Sequence, residues 1–190
     1  GKSFIGLETK QAPILYINED SDQFSFEERI KAGVKGHEFE KDIPFYHIST
    51  AQFNFYKNSG DIKELEEMIF SHQVKLVVID TWAAVTAGAN ENSVEDVQPV
   101  INKFRDLIAR TGTSIIFIHH MNKDGEIRGS TAISGGCDSI IRISSPDGDM
   151  KIDISSEKKR HSAPFHQKAE IQITSDIDGN LETYTISPPV

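Results

Sequence analysis

The sequence predicts an α/β fold: a mainly parallel sheet flanked by helices, with antiparallel strands at its C-terminal end. Three observations carry this. Apolar runs of strand length recur along the chain, helical patterns lie between them, and after residue 144 the residues alternate between apolar and polar. Strands interleaved with helices and followed by a meander make an α/β domain.

Taken in order, the first apolar run is ILYI at 14–17. Residues 25–34 predict a short helix. Residues 60–72, GDIKELEEMIFSH, predict a second, with Ile62, Leu65 and Ile69 facing inward. The run LVVI follows at 76–79. Residues 93–112, SVEDVQPVINKFRDLIARTG, carry the clearest helical signal: Val94, Val97, Ile101, Phe104 and Ile108 fall three or four apart and share a face. Ser93 with Asp96 resembles a capping box, and Gly112 is the predicted stop. SIIFI at 114–118 and SIIRI at 139–143 complete the apolar runs, whose continuity predicts strands covered on both faces. In the tail, MKIDISSEKKR, QKAEIQITSD and NLETYTISPP read as antiparallel strands that extend the sheet, with PDGD and DIDGN as turns.

Composition narrows the class. A chain of 190 residues suits one domain with a sizeable core, read here as 1–190. No segment approaches the roughly 18 apolar residues of a membrane span, and the start GKSFIGLETKQ lacks the apolar core of a secretory signal. Cys137 is the only cysteine, so no disulfide can form within the chain. These features fit a reducing cytosol, so a cytoplasmic protein with no membrane partner is expected. The net charge of −9 argues against a uniformly basic nucleic-acid binder, and leaves Lys158-Lys159-Arg160-His161 as the main basic patch.

Ligands of open α/β sheets bind beyond the carboxyl ends of the strands. Three predicted strands end on polar groups there: ILYIN on Glu19-Asp20, LVVI on Asp80-Thr81, and SIIFI on His119-His120. A single Asp after a strand is commonly a helix cap or turn former. Gly1-Lys2-Ser3 matches the end of the phosphate loop G-x-x-x-x-G-K-[ST], in which backbone N–H groups cradle phosphates, Lys reaches the β- and γ-phosphates, and Ser binds Mg²⁺. At a chain start the same tripeptide also fits a cloning remnant. Joined to an apolar strand that ends on Asp80, it supplies the second half of a nucleotide site. Glu19, Asp80, His119 and His120 would form a metal cluster if the tips converge, but adjacent histidines on a strand point to opposite faces. Trp82 reads as an apolar packing residue, with base stacking as the alternative.

The order GKS, ILYINED, EERIKA, KLVVIDTW, GTSIIFIHHMNK, IRGSTAISGGCDSIIRI and EKKRHSAPF resembles the RecA-like P-loop ATPases. It is most similar to plasmid-type hexameric replicative helicases and their AAA-type relatives, with DnaB-type helicases more distant. The resemblance implies a RecA-like fold, ATP and Mg²⁺ as cofactors, and a hexameric ring with nucleotide at its subunit interfaces. It implies that Gly1, Lys2 and Ser3 end the phosphate loop, and that Ser3 and Asp80 hold the metal. Glu19 corresponds to the carboxylate that polarises the attacking water, with Asp20 beside it as the second choice. His120 matches the residue that senses the γ-phosphate, and His119 flanks it. Arg128, which opens the RGS element, is expected with them among the nucleotide-binding residues, and Lys158 and Arg160 match basic residues that reach a neighbouring subunit's nucleotide.

Two departures qualify the resemblance. The first glycine of the phosphate loop is absent. Only about nine residues separate Ser3 from Pro13, where a crossover takes a dozen or more, so residues are expected to be missing near 8–9. The segment MNKDGEIRGS is short and holds Lys123 but no aromatic residue, so it lacks the stacking platform used on single strands. The expected function is an ATP-hydrolysing motor on DNA, a hexameric helicase or replication ATPase of a plasmid, phage or integrated element, with single-stranded DNA as a partner. The alternative is a regulatory or assembly ATPase of the same fold without DNA unwinding.

Overall fold

The computed structural model describes residues 3–39, 43–123, 125–145, 150–161 and 163–189. In chain order its elements are β1 (Ile14–Asn18), α1 (Gln23–Gly36), β2 (Phe45–Ser49), α2 (Gly60–Ser71), β3 (Leu76–Asp80), α3 (Trp82–Val85), α4 (Val94–Thr111), β4 (Ser114–Ile118), α5 (Thr131–Gly136), β5 (Ser139–Ser144), β6 (Lys151–Lys159), β7 (His166–Ser175) and β8 (Leu181–Ser187). The chain divides into two compact units. One comprises Ala12–Gln23 and Ile43–Gly136; the other comprises Gly1–Gln11, Phe24–Asp42 and Cys137–Val190.

The first of these holds a parallel sheet in the order β2-β1-β3-β4. Leu15 and Ile17 of β1 and Val77 and Ile79 of β3 alternate onto one face. There they join a core with Leu65 and Ile69 of α2 and Val97, Val100, Phe104 and Leu107 of α4. The predicted cover on both faces is corrected: Tyr16, Val78 and Asp80 on the opposite face are half-buried, and Ile116 of β4 is 46% exposed. The apolar runs arise because these strands mix Ile and Val on both faces while helices α2 and α4 cover only one. Strand β2 was not anticipated. Its sequence FYHIS carries a histidine mid-strand and sits at the sheet's edge, where a continuous apolar run is not needed.

Helices α2 and α4 match their predicted spans closely, and Ile62, Leu65 and Ile69 are buried as expected. The inner face of α4 is rotated from its prediction. Val100 and Leu107 are inside, whereas Val94 and Ile108 are exposed. Gly112 ends the helix in the left-handed conformation at φ +67°, its N–H bonded to Ile108 O. Only half of the capping box forms: Ser93 Oγ accepts Asp96 N–H at 3.3 Å, while the Asp96 carboxylate takes Asn90 N–H at 2.7 Å.

In the other unit β5–β8 form an antiparallel sheet of their own, rather than an extension of the parallel one. Strand β5, the SIIRI run, pairs with β6, Ile143 lying opposite Ile154. Apolar residues gather on one face, and Arg142, Glu157, Asp153 and His166 pair on the other. Helix α1, longer than expected, meets this sheet at β8. A Cβ on Gly36 would fall 2.5 Å from Tyr184 O, so only glycine permits the approach. Lys35 pairs with Glu182 at 2.7 Å beside it.

Candidate functional site

Parallel pairing brings four strand ends into one row. Asn18 lies level with Ser49 on one side and Asp80 on the other, and Asp80 with Ile118. With strands about 4.8 Å apart, the residues that leave β1, β2, β3 and β4 are neighbours. Asn18 is fully buried and closes the first turn: its Nδ2 donates to Ser21 O at 2.8 Å and Ser49 Oγ at 3.1 Å, and its Oδ1 accepts Ser21 N–H.

Asp80 stands half-buried at the end of β3. Tyr16 OH, two residues back on β1, donates to Asp80 Oδ2 at 2.7 Å. Among the described residues no hydrogen bond reaches Oδ1. Glu19 N–H donates to Asp80 O at 2.6 Å, which ties the two carboxylate-bearing residues by their main chains. The Asp80-Thr81 peptide bond is cis. Thr81 then caps α3, its Oγ1 accepting Ala84 N–H.

The Glu19 carboxylate is gripped by a loop that the sequence did not point to. Gln52 N–H and Phe53 N–H donate to its two oxygens, each at 3.2 Å. Thr50 and Gln52 have φ of +55° and +62°, and such turns aim successive N–H groups at one anion. Asp61, 8% exposed, steadies that loop by accepting Asn54 N–H at 2.6 Å and Asn58 Nδ2, and Asn54 Nδ2 reaches Ala87 O at 2.9 Å. Asp20 is exposed.

Beyond β4 the two histidines part. His119 Nε2 donates to Arg128 O at 2.6 Å, whereas His120 is exposed. The Arg128 guanidinium pairs with Glu91, a residue of the segment between α3 and α4 that sequence reading did not single out. No local signal marks Glu91, because its partner lies 37 positions away. Ser130 N–H also donates to Glu91 O, at 2.6 Å.

The remaining predicted site residues belong to the other unit. Gly1 and Lys2 lie outside the described residues. Ser3 is exposed, with Oγ donating to Leu7 O at 3.2 Å. Arg160 pairs with Asp138 at 3.6 Å, Lys159 Nζ lies 4.4 Å from the centre of the Phe165 ring, and Lys158 is half-buried at the end of β6. Trp82 packs: it is 2% exposed and meets Phe117 edge-on at 5.1 Å. Among the described residues no three His, Cys, Asp or Glu side chains gather into a metal cluster. No helix among them is long and apolar enough to cross a membrane.

The arrangement offers one carboxylate with an oxygen oriented by Tyr16, a second carboxylate fixed by two amides, and an exposed imidazole beyond β4. Known proteins with this fold are similar to the chain. The RadB recombinase structure aligns with a TM-score of 0.64 at 14% identity, covering 95% of this chain and 80% of that one. A KaiC-like protein from the hyperthermophilic archaeon Pyrococcus horikoshii OT3 aligns with a TM-score of 0.60 at 12% identity, covering 92% and 76%. At such identities the likeness shows the fold, which is the RecA-like α/β class. No curated protein sequence matches the chain. A family model described as AAA domain matches residues 1–126, a span that includes Glu19, Asp80 and His120, and the chain therefore belongs to the AAA domain family.

Proposed function

We propose that this protein binds ATP with Mg²⁺ and hydrolyses it as a RecA-like motor acting on DNA, assembled as a homo-oligomeric ring of the hexameric replicative-helicase or replication-ATPase type. The observation that carries the reading is Asp80: a carboxylate at the end of a central parallel strand, oriented by Tyr16 and joined through its backbone to Glu19. Membership of the AAA domain family supports nucleotide use.

Phosphoryl transfer needs positioning and charge neutralisation more than covalent chemistry. The residues fit Mg²⁺, since hard cations take carboxylate and hydroxyl oxygen. Asp80 and Ser3 would hold the ion, whose chemistry is to neutralise charge on the phosphates. Gly1 and Lys2 would cradle those phosphates. Glu19 orients a water toward the γ-phosphorus. The new P–O bond forms as the bond to the β-phosphate oxygen breaks, leaving ADP and phosphate. His120 senses the γ-phosphate, and Lys158 and Arg160 serve a neighbouring subunit's nucleotide.

The test is ATP turnover with and without single-stranded DNA. Asp80→Ala is expected to lower kcat by at least about 100-fold. Glu19→Gln should abolish turnover while nucleotide binding survives. Turnover that Asp80→Ala leaves intact would overturn the assignment.

A second reading, a regulatory or assembly ATPase of the same fold without DNA unwinding, is favoured by one group of contacts. Arg160 is engaged by Asp138 and Lys159 by Phe165 within their own unit, and the net charge is −9. Turnover that single-stranded DNA leaves unchanged would select it.

A further inference from the structure

We infer that Glu91 and Arg128 form a clasp that sets the position of the β4 tip, so that Arg128 acts through His119 instead of contacting nucleotide itself. The inference rests on the ATPase reading and reassigns one residue of it.

Three features build the clasp. The Glu91 carboxylate pairs with Arg128 Nε, and it is the more shielded partner: its side chain is 20% exposed against 58% for Arg128. The Glu91 backbone carbonyl accepts Ser130 N–H at 2.6 Å. Between them stands Gly129 at φ +94°, where an added Cβ would lie 2.8 Å from Glu91 O. Glycine is what lets the two main chains come this close. One residue of the segment between α3 and α4 thus grips three successive residues of the segment after β4.

The other end of the grip is His119. Its Nε2 donates to the carbonyl of Arg128, the same residue whose guanidinium Glu91 holds. A carbonyl only accepts, so Nε2 carries the proton, which fixes the ring's tautomer and plane. Between His119 and Arg128 the chain turns back on itself. Met121 and Ile127 pair as an antiparallel bridge, Asn122 N–H donates to Glu126 O, and Glu126 N–H donates to Asn122 Oδ1, the last two at 2.8 Å. Fixing Arg128 therefore fixes both ends of this hairpin and the main chain that carries His120. Glu91 takes Arg128 Nε, so that edge of the guanidinium must leave the carboxylate before a phosphate can use it.

The experiment compares Glu91→Ala, Arg128→Ala, the double variant, and the exchanged pair Glu91→Arg with Arg128→Glu. Both single variants are expected to lower kcat for ATP by a similar factor, about 10- to 100-fold, with KM within about twofold of the parent. The double variant should be no worse than either single one, and the exchanged pair should recover much of the loss. A rise in KM in Arg128→Ala that Glu91→Ala does not share, with no recovery in the exchanged pair, would overturn the clasp and return Arg128 to the phosphate. Amide hydrogen exchange over 126–130 without nucleotide gives a readout independent of turnover. It should rise in both single variants and fall back in the exchanged pair; unchanged exchange would sink the inference. If the parent protein shows no ATP turnover, the ATPase reading fails alone and the exchange data still decide the clasp. Should an alanine variant fail to fold, Glu91→Gln and Arg128→Lys carry the same comparison.

Discussion

The two sheets are made of similar residues and do different things with them. In the parallel sheet Leu15, Ile17, Val77 and Ile79 are sealed beneath α2 and α4. In the antiparallel sheet Ile141, Ile143 and Ile173 remain 52%, 61% and 47% exposed. The difference lies in the connections. A parallel pair requires a crossover, and the crossover helices α2 and α4 arrive with their own apolar faces. A meander returns by tight turns and brings no cover; in that unit α1 supplies it, where Gly33 and Gly36 meet Tyr184. The connections also decide where chemistry collects. Parallel strands all end at one edge, so Glu19, Thr50, Thr81 and His119 leave the sheet side by side. Successive antiparallel strands end at opposite edges, so their tips diverge.

The contrast predicts a graded series of losses in stability, each measured by denaturant unfolding. Phe104→Ala removes a ring that packs edge-on against both Phe55 and Phe117, and should cost about 3–5 kcal/mol. Gly36→Ala forces a methyl group against Tyr184 O and should cost about 1–3 kcal/mol, with a loosened α1. Ile143→Thr, on the open face, should fall within about 0.5 kcal/mol of the parent. A loss there as large as at Phe104 would break the comparison, because it would mean the antiparallel face is sealed in solution.

The smallest effect is a pH dependence. The hydrogen bonds and charge of Arg110 hold the Glu66 carboxyl below its ordinary value of 4.5. Arg110 reaches it at 2.6 and 3.1 Å. A lowered folded pKa means that the pair's contribution is complete above about pH 4.5 and is lost as pH falls through the folded value. Melting temperatures of the parent and Glu66→Gln should therefore converge on acidification below that point. A constant gap down to strong acid would show that the pair contributes nothing through its charge.

Much of this architecture was legible in the sequence, for reasons that also explain the gaps. Strands β1, β3 and β4 announce themselves because each carries a continuous apolar run, whether inside the sheet (β1 and β3) or at its edge (β4), and α2 and α4 because one face must repeat at the helical period. The face of α4 was misjudged by part of a turn, since Val97, Val100, Ile101, Phe104, Leu107 and Ile108 offer two overlapping apolar stripes and only packing chooses between them. Asp80, Glu19 and the histidines were visible as polar ends to apolar runs. Their partners were not. Gln52 and Phe53 hold Glu19 through backbone N–H groups, which every residue possesses, and Tyr16 meets Asp80 across 64 positions of chain. Geometry of that kind belongs to the fold and leaves no mark on the residues that supply it.

Trp82 carries a consequence of a different kind. It is the single tryptophan of the chain, sealed from solvent two residues beyond Asp80, and no described residue accepts a hydrogen bond from its indole N–H. The tryptophan fluorescence of the chain is therefore a one-emitter signal from the carboxyl end of β3, blue-shifted by its dry surroundings. Any ligand that moves the tip of that strand against Phe117 reports itself optically, without a label.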